Sequence, residues 1–137
     1  IARLMEYLLD TNICIYIIKK RPSSVLKKFE SLSPGDVAIS SITLAELYYG
    51  IMKSSNPNKN QEALDKFLIP LEILYFDYPA TIEYGKIRAD LEKKGTPIGA
   101  LDTLIASHAK SLNLTLVTNN EKEFERIPDL KIENWTK

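Results

Sequence analysis

Three acidic side chains occupy places where apolar segments would deliver them: Asp10 closes Tyr7-Leu8-Leu9, Glu46 sits in Leu44-Ala45-Glu46-Leu47, and Asp102 follows Pro97-Ile98-Gly99-Ala100-Leu101. Carboxylates carried by strands and helices are held in place. If one pocket receives all of them, they form a hard, oxygen-only donor set of the kind that suits Mg2+ or Mn2+, ions held by one or two carboxylates plus waters and substrate phosphate oxygens. With one His and one Cys in the sequence, no Zn2+ set of Cys and His can be assembled within one chain. Without a cation, carboxylates brought together repel by about 4 kcal/mol per pair at 4 Å and an effective dielectric of 20. A divalent ion relieves that repulsion, activates water and neutralises charge developing on a phosphodiester. Hydrolysis of nucleic acid is the chemistry this pattern suggests.

The elements that must position these acids can be read from periodicity. Tyr7-Leu8-Leu9 is a short strand, and the apolar segment from Asn12 to Lys20 is a helix that Thr11 or Asn12 would cap and Arg21-Pro22 would stop. A second helix is expected from Ser23 to Leu32, a turn at Ser33-Pro34-Gly35-Asp36, and a buried strand at Val37-Ala38-Ile39-Ser40. The next helix begins near Thr43, with Leu44, Leu47, Tyr48 and Ile51 as its core stripe and Glu46 off that stripe. A polar loop at 54–60, a helix at 62–68, a strand at 73–76 and an amphipathic helix from Ala80 to Lys94 follow. Helix 100–112, strand 115–117, an Asn119-Asn120 turn, a short helical piece from Glu121 to Arg126 and an edge strand at 130–132 complete the order. Strands alternating with helices imply an α/β fold, a central, mainly parallel sheet of four to five strands with helices on both faces. On such sheets ligands bind beyond the carboxyl ends of the strands, where Asp10 and Thr118 would lie.

The chain is 137 residues long, enough for one domain, expected over residues 5–137; Met5 reads as a natural start, and residues 1–4 as an upstream extension. Eighteen Lys and Arg balance eighteen Asp and Glu, so nucleic-acid affinity must come from a local patch. Lys19, Lys20 and Arg21, with Lys27 and Lys28, are the densest cations, either a phosphate contact or a solvated face. A lone Cys14 excludes an internal disulfide, and no apolar run approaches the roughly 20 residues of a membrane span, so the expected location is the cytoplasm.

Each singled-out residue also has a plain structural reading. Asp10 can cap a turn, Glu46 can be a solvated helix residue, and Asp102 can complement the helix dipole. Asn119-Asn120 can be a simple turn. His108 lies in register with Leu101, Leu104, Ile105 and Leu112, which favours packing. Cys14 reads as a buried thiol. Only the combination of acids points to chemistry.

Four stretches, Leu8-Leu9-Asp10-Thr11-Asn12, Ile42-Thr-Leu-Ala-Glu46-Leu-Tyr-Tyr-Gly50, Pro97-Ile-Gly-Ala-Leu-Asp102-Thr-Leu-Ile-Ala106 and Leu116-Val-Thr-Asn-Asn120, together resemble PIN-domain ribonucleases of the VapC toxin type. They run in the same order and span almost the whole chain. The resemblance implies a PIN-like three-layer sandwich and an Mg2+-dependent endoribonuclease, Mn2+ serving as well, that cuts RNA, transfer RNA above all. It also implies a VapB-type antitoxin that covers the active site and binds operator DNA, and a homodimer within a larger complex. By the same resemblance Asp10, Asp102 and Glu46 would hold metal, with Asn120 as a fourth catalytic position where many PIN domains carry Asp. Thr11, Asn12, Thr118 and Asn119 would stand behind them, bonding carboxylates and metal waters.

Two other classes fit parts of the pattern. An Asp after an apolar strand also opens haloacid-dehalogenase-like phosphotransferases, where it is the nucleophile, but Asn12 stands where their second Asp belongs. A non-catalytic, metal-stabilised binding module would keep the acids and show neither activity.

Overall fold

The computed structural model describes residues 5–137; the expectation about residues 1–4 lies outside them. In chain order the elements are β1 (Tyr7–Leu9), α1 (Thr11–Lys19), α2 (Ser23–Glu30), β2 (Val37–Ser40), α3 (Ser41–Met52), α4 (Pro57–Leu68), β3 (Glu72–Leu74), α5 (Tyr78–Lys93), α6 (Ala100–Ser111), β4 (Thr115–Val117), α7 (Glu121–Phe124) and β5 (Ile132–Glu133). The strands form one five-stranded sheet in the order β3-β2-β1-β4-β5, and every pairing in it is parallel.

Residue-by-residue alternation along the strands divides the core into two. Tyr7, Leu9, Val37, Ile39 and Val117 join Ile13, Ile17, Val25, Leu47, Leu64 and Phe67 from α1 to α4 in one cluster. Leu8, Ala38 and Leu116 join Ile87, Leu91, Ile105, Ala109 and Phe124 from α5, α6 and α7 in the other. Successive side chains of a strand point to opposite faces, so the central strands are buried on both sides, as parallel sheets require. The result is a three-layer sandwich.

Strand order locates the crevice. From β1 the chain builds outward through β2 to β3, then crosses back to lay β4 on the other side of β1. The direction of winding therefore reverses between β1 and β4, and at such a switch point the loops beyond the strand ends diverge and leave a cleft. Asp10 directly follows β1 and Thr118 directly follows β4.

Several boundaries differ from the sequence reading. The cap of α1 is Asp10 itself, whose carboxylate accepts from the Ile13 N–H, rather than Thr11 or Asn12. An acidic cap suits the positive helix end and completes the first turn. Helix α3 starts at Ser41 because Ser40 caps it through the Ile42 N–H, and α5 starts at Tyr78 because Asp77 caps it through Ala80. Tyr48, placed on the core stripe by spacing, is 38% exposed at the stripe's edge. The last strand lies at Ile132–Glu133, where it pairs with Leu116 and Val117 of β4.

Candidate active site

Asp10 is the most constrained acid. It is only 5% exposed, and besides the Ile13 N–H at 2.9 Å its carboxylate accepts a hydrogen bond from the Thr118 side chain. Thr118 Oγ1 in turn accepts from the Asn120 N–H at 3.0 Å. The ends of β1 and β4 are thus joined by side chains as well as by the sheet. Burial, offset in part by the Thr118 and Ile13 bonds and reinforced by the charges of Asp102 and Glu46, pushes the Asp10 pKa up to about 6.

Asp102 lies in the first turn of α6. Because α6 precedes the parallel strand β4, it runs back along the sheet and starts at the carboxyl edge where Asp10 stands. Gly99 occupies the cap position, and its α-carbon faces Asp102 Oδ2, which would be 3.8 Å from an added Cβ. Burial, then the charges of Glu123 and Glu46 and a hydrogen bond with Glu123, raise the Asp102 carboxyl.

Glu46 reaches the group from α3. Its Oε1 accepts from the Thr11 hydroxyl at 2.6 Å, while Thr43, on the preceding turn of the same helix, sits 3.4 Å from that hydroxyl. The Thr11–Glu46 bond crosses from the first residue of α1 to the middle of α3. Asn12 is exposed on α1.

The turn after β4 splits the two asparagines. Asn120 Nδ2 donates to Glu123 Oε2 at 2.9 Å, whereas Asn119 Nδ2 donates to the Tyr16 hydroxyl at 3.0 Å. Asn120 therefore faces the acids, through Glu123, and Asn119 turns toward α1. Glu123 was not singled out from the sequence. The readable signal was its spacing: three residues after Asn120, one short helical turn beyond a strand's carboxyl end.

Asp10, Glu46, Asp102 and Glu123 so converge from four segments, each acting electrostatically on at least one of the others. Among the described residues, no group of three or more His, Cys, Asp or Glu side chains closes a ready-made metal cage. The donor chemistry nevertheless fits Mg2+ or Mn2+: every candidate ligand is a carboxylate oxygen, and ions of this kind complete their shells with water and phosphate instead of a closed protein cage.

Comparison with known proteins decides between the readings. The sequence profile described as PIN domain matches residues 7–130. The chain belongs to the PIN-domain family. Within that family it is 54% identical over 134 residues to Ribonuclease VapC2 of Rickettsia felis, covering 97% of this chain and all of that one. It is 47% identical over 132 residues to the tRNA(fMet)-specific endonuclease VapC of Salmonella typhimurium, covering 96% and 99%. The crystal structure of VapBC2 from Rickettsia felis bound to a DNA fragment from their promoter superposes with a TM-score of 0.89 at 52% identity, covering 96% of this chain and 99% of the VapBC2 chain. The expected PIN-like sandwich is the observed fold, and the phosphotransferase and binding-module readings are not favoured. His108 and Cys14 are both buried, consistent with packing roles for each. No helix of the described residues is long and apolar enough to cross a membrane.

Proposed function

We propose that this PIN domain is a divalent-metal-dependent endoribonuclease, with Mg2+ as its ion and Mn2+ as a substitute, acting on RNA and on transfer RNA in the first instance. The observation that carries the reading is the meeting of Asp10, Glu46, Asp102 and Glu123 at the switch point, where burial and mutual repulsion raise Asp10 and Asp102. Full-length similarity to proteins named ribonuclease and tRNA(fMet)-specific endonuclease supports the substrate class.

In this reading Asp10 and Asp102 hold the ion, and Glu46 and Glu123 complete the acidic rim directly or through water. The ion, when bound, supplies a water of lowered pKa and neutralises charge on the scissile phosphate. Thr118 and the Ile13 N–H hold the Asp10 carboxylate in one orientation, Thr11 does the same for Glu46, and Asn120 for Glu123. Fixing ligands from behind is worth a factor of roughly 10–100 in metal affinity or activity.

A VapB-type antitoxin is the proposed partner, on the strength of the VapBC complexes that this chain resembles. A cavity of about 260 Å3 between α1, α3 and α4, lined by Ile15, Ile18, Leu47, Ile51 and Leu64, includes Glu46. An inhibitor seated there would lie against the acids. Operator DNA enters only through that partner, a homodimer inside the larger complex belongs to the same proposal, and the cytoplasm is where such a substrate and partner meet.

The test is cleavage of RNA by purified protein with Mg2+ or Mn2+. Activity that is lost on chelation and in both Asp10→Asn and Asp102→Asn is the expected result; cleavage retained in both variants removes the site.

A further inference from the structure

Beside the acids lies a second feature that the acid chemistry leaves unused: a cavity of about 530 Å3 lined by Ile15, Tyr16, Lys19, Arg21, Asn119 and Thr136. Its volume falls in the range of small-ligand sites, roughly 300–1,000 Å3. It adjoins the catalytic crevice along two paths. Asn119 is the residue after Thr118, the side chain bonded to Asp10, and Tyr16 is six residues along α1 from Asp10, about 9 Å at 1.5 Å per residue.

Its lining is chemically mixed in a specific way. Lys19 and Arg21 are exposed, and neither has an acidic partner among the described residues. The backbone separates this pair from Lys20, which takes a left-handed conformation at the end of α1 and lines a different depression with Lys59 and Lys66. On the opposite wall the Asn119 amide donates to the Tyr16 hydroxyl, and its Oδ1 is buried with no donor to satisfy it. A buried acceptor without a partner is uncommon in a native protein and calls for one.

We infer that this cavity binds the nucleotide next to the scissile phosphate of a single-stranded RNA, with Lys19 and Arg21 on its backbone phosphate and the Asn119 amide, released from Tyr16, turning its unsatisfied Oδ1 out to accept from an amino or ring N–H group of its base. Looped RNA presents splayed bases whose edges are read by amides and whose faces rest on aromatic or guanidinium planes, and the two cations supply the local field that a chain of zero net charge otherwise lacks. Lys19 and Arg21 set affinity, and Asn119 sets which base is accepted. The inference rests on the endoribonuclease reading and adds to it a position of sequence preference.

Binding is measured by fluorescence anisotropy with a single-stranded RNA oligonucleotide on the Asp10→Asn protein, across a range of salt. Adding Lys19→Ala with Arg21→Ala should weaken binding roughly tenfold and flatten the log–log salt slope by about 0.7, the value for one phosphate contact on a single strand. In the active protein the same pair should raise KM with kcat little changed. Sequencing of fragment ends should show Asn119→Ala relaxing base preference by roughly tenfold at one position flanking the cut. Because Lys19 and Arg21 are exposed, the double variant's melting temperature should match the parent's, which separates lost contact from lost fold. An unchanged dissociation constant and salt slope in the double variant overturns the subsite while leaving the ribonuclease reading intact. So does a variant weakened toward antitoxin but not toward RNA. A parent that neither cuts nor binds RNA overturns both.

Discussion

The Thr11 hydroxyl donates to Glu46 Oε1 at 2.6 Å, tying the start of the helix behind Asp10 to the helix that carries the second acid. Hydrogen bonds to charged groups contribute about 1.5–3 kcal/mol. Thr11→Val, which keeps the shape and removes the donor, should lower cleavage by roughly 10–100-fold, and Thr11→Ser should restore most of it. Initial rates at saturating metal check this. Equal rates in Val and Ser variants would show that Glu46 needs no such restraint.

Glu123 and Asn120 make a second pair, with the amide donating to the carboxylate at 2.9 Å. Glu123→Gln should reduce cleavage and weaken metal binding, whereas Asn120→Ala should act only through the loss of that orientation and cost less. Asn120→Asp adds a carboxylate to the acidic rim and should lower the metal concentration needed for half-maximal rate, most at low ionic strength, because the extra negative charge strengthens the attraction for a cation. A fall that persists at high ionic strength, where the general field is screened, would make position 120 a ligand site.

Asp10 predicts a pH dependence of stability in chelator. Its carboxyl, ordinarily near 4, titrates at about 6 in the folded chain, chiefly through burial. The folded state therefore holds this proton more tightly than the unfolded one. The stabilisation is complete below about pH 4 and is lost as pH rises through about 6, an effect on the order of 3 kcal/mol. Asp10→Asn cannot lose it, so its melting temperature should rise relative to the parent by about 5–10 °C between pH 4 and pH 7. Parallel melting curves would count against this burial penalty.

His108 predicts the opposite sign. The ring is buried, with Nδ1 2.8 Å from Ser40 Oγ and its other nitrogen on the Tyr75 carbonyl. Because Ser40 Oγ already accepts from the Ile42 N–H, its proton is free for Nδ1. The neutral ring thus links β2, α3 and the segment before α5. Burial lowers the pKa, partly countered by the charge of Asp77 and the Tyr75 bond. Protonation favours the unfolded chain, so stability should fall as pH drops below about 6.5, the unperturbed value. His108→Gln should cost about 1–3 kcal/mol at neutral pH yet remove the acid-side loss, as read from chemical denaturation at several pH values.

A cation bound only by the folded state must raise the melting temperature once it exceeds its dissociation constant, by about 2.7 kcal/mol of stability at a hundredfold excess. Millimolar Mg2+ or Mn2+ should therefore stabilise the parent protein, and Asp102→Asn should blunt the rise. A parent melting curve unmoved by either ion would speak against the metal, not the fold.

The sequence by itself determined the alternation of apolar segments that makes Tyr7–Leu9, Val37–Ser40 and Thr115–Val117 strands, and the helical stripes that cover them, because those patterns are local and repeat every two or 3.6 residues. It also marked Asp10, Glu46 and Asp102, though not Glu123. Only the tertiary structure decided that β4 crosses back beside β1, since strand order depends on pairings between segments more than a hundred residues apart. That crossover is what brings Thr118 onto Asp10, Glu123 onto Asp102, and Asn119 across to Tyr16. The left-handed turn at Lys20 likewise separates one run of cations into two surfaces. Spacing along a chain fixes which face of its own element a residue takes, whereas a side chain's partners across a cleft are fixed only when separate elements pack.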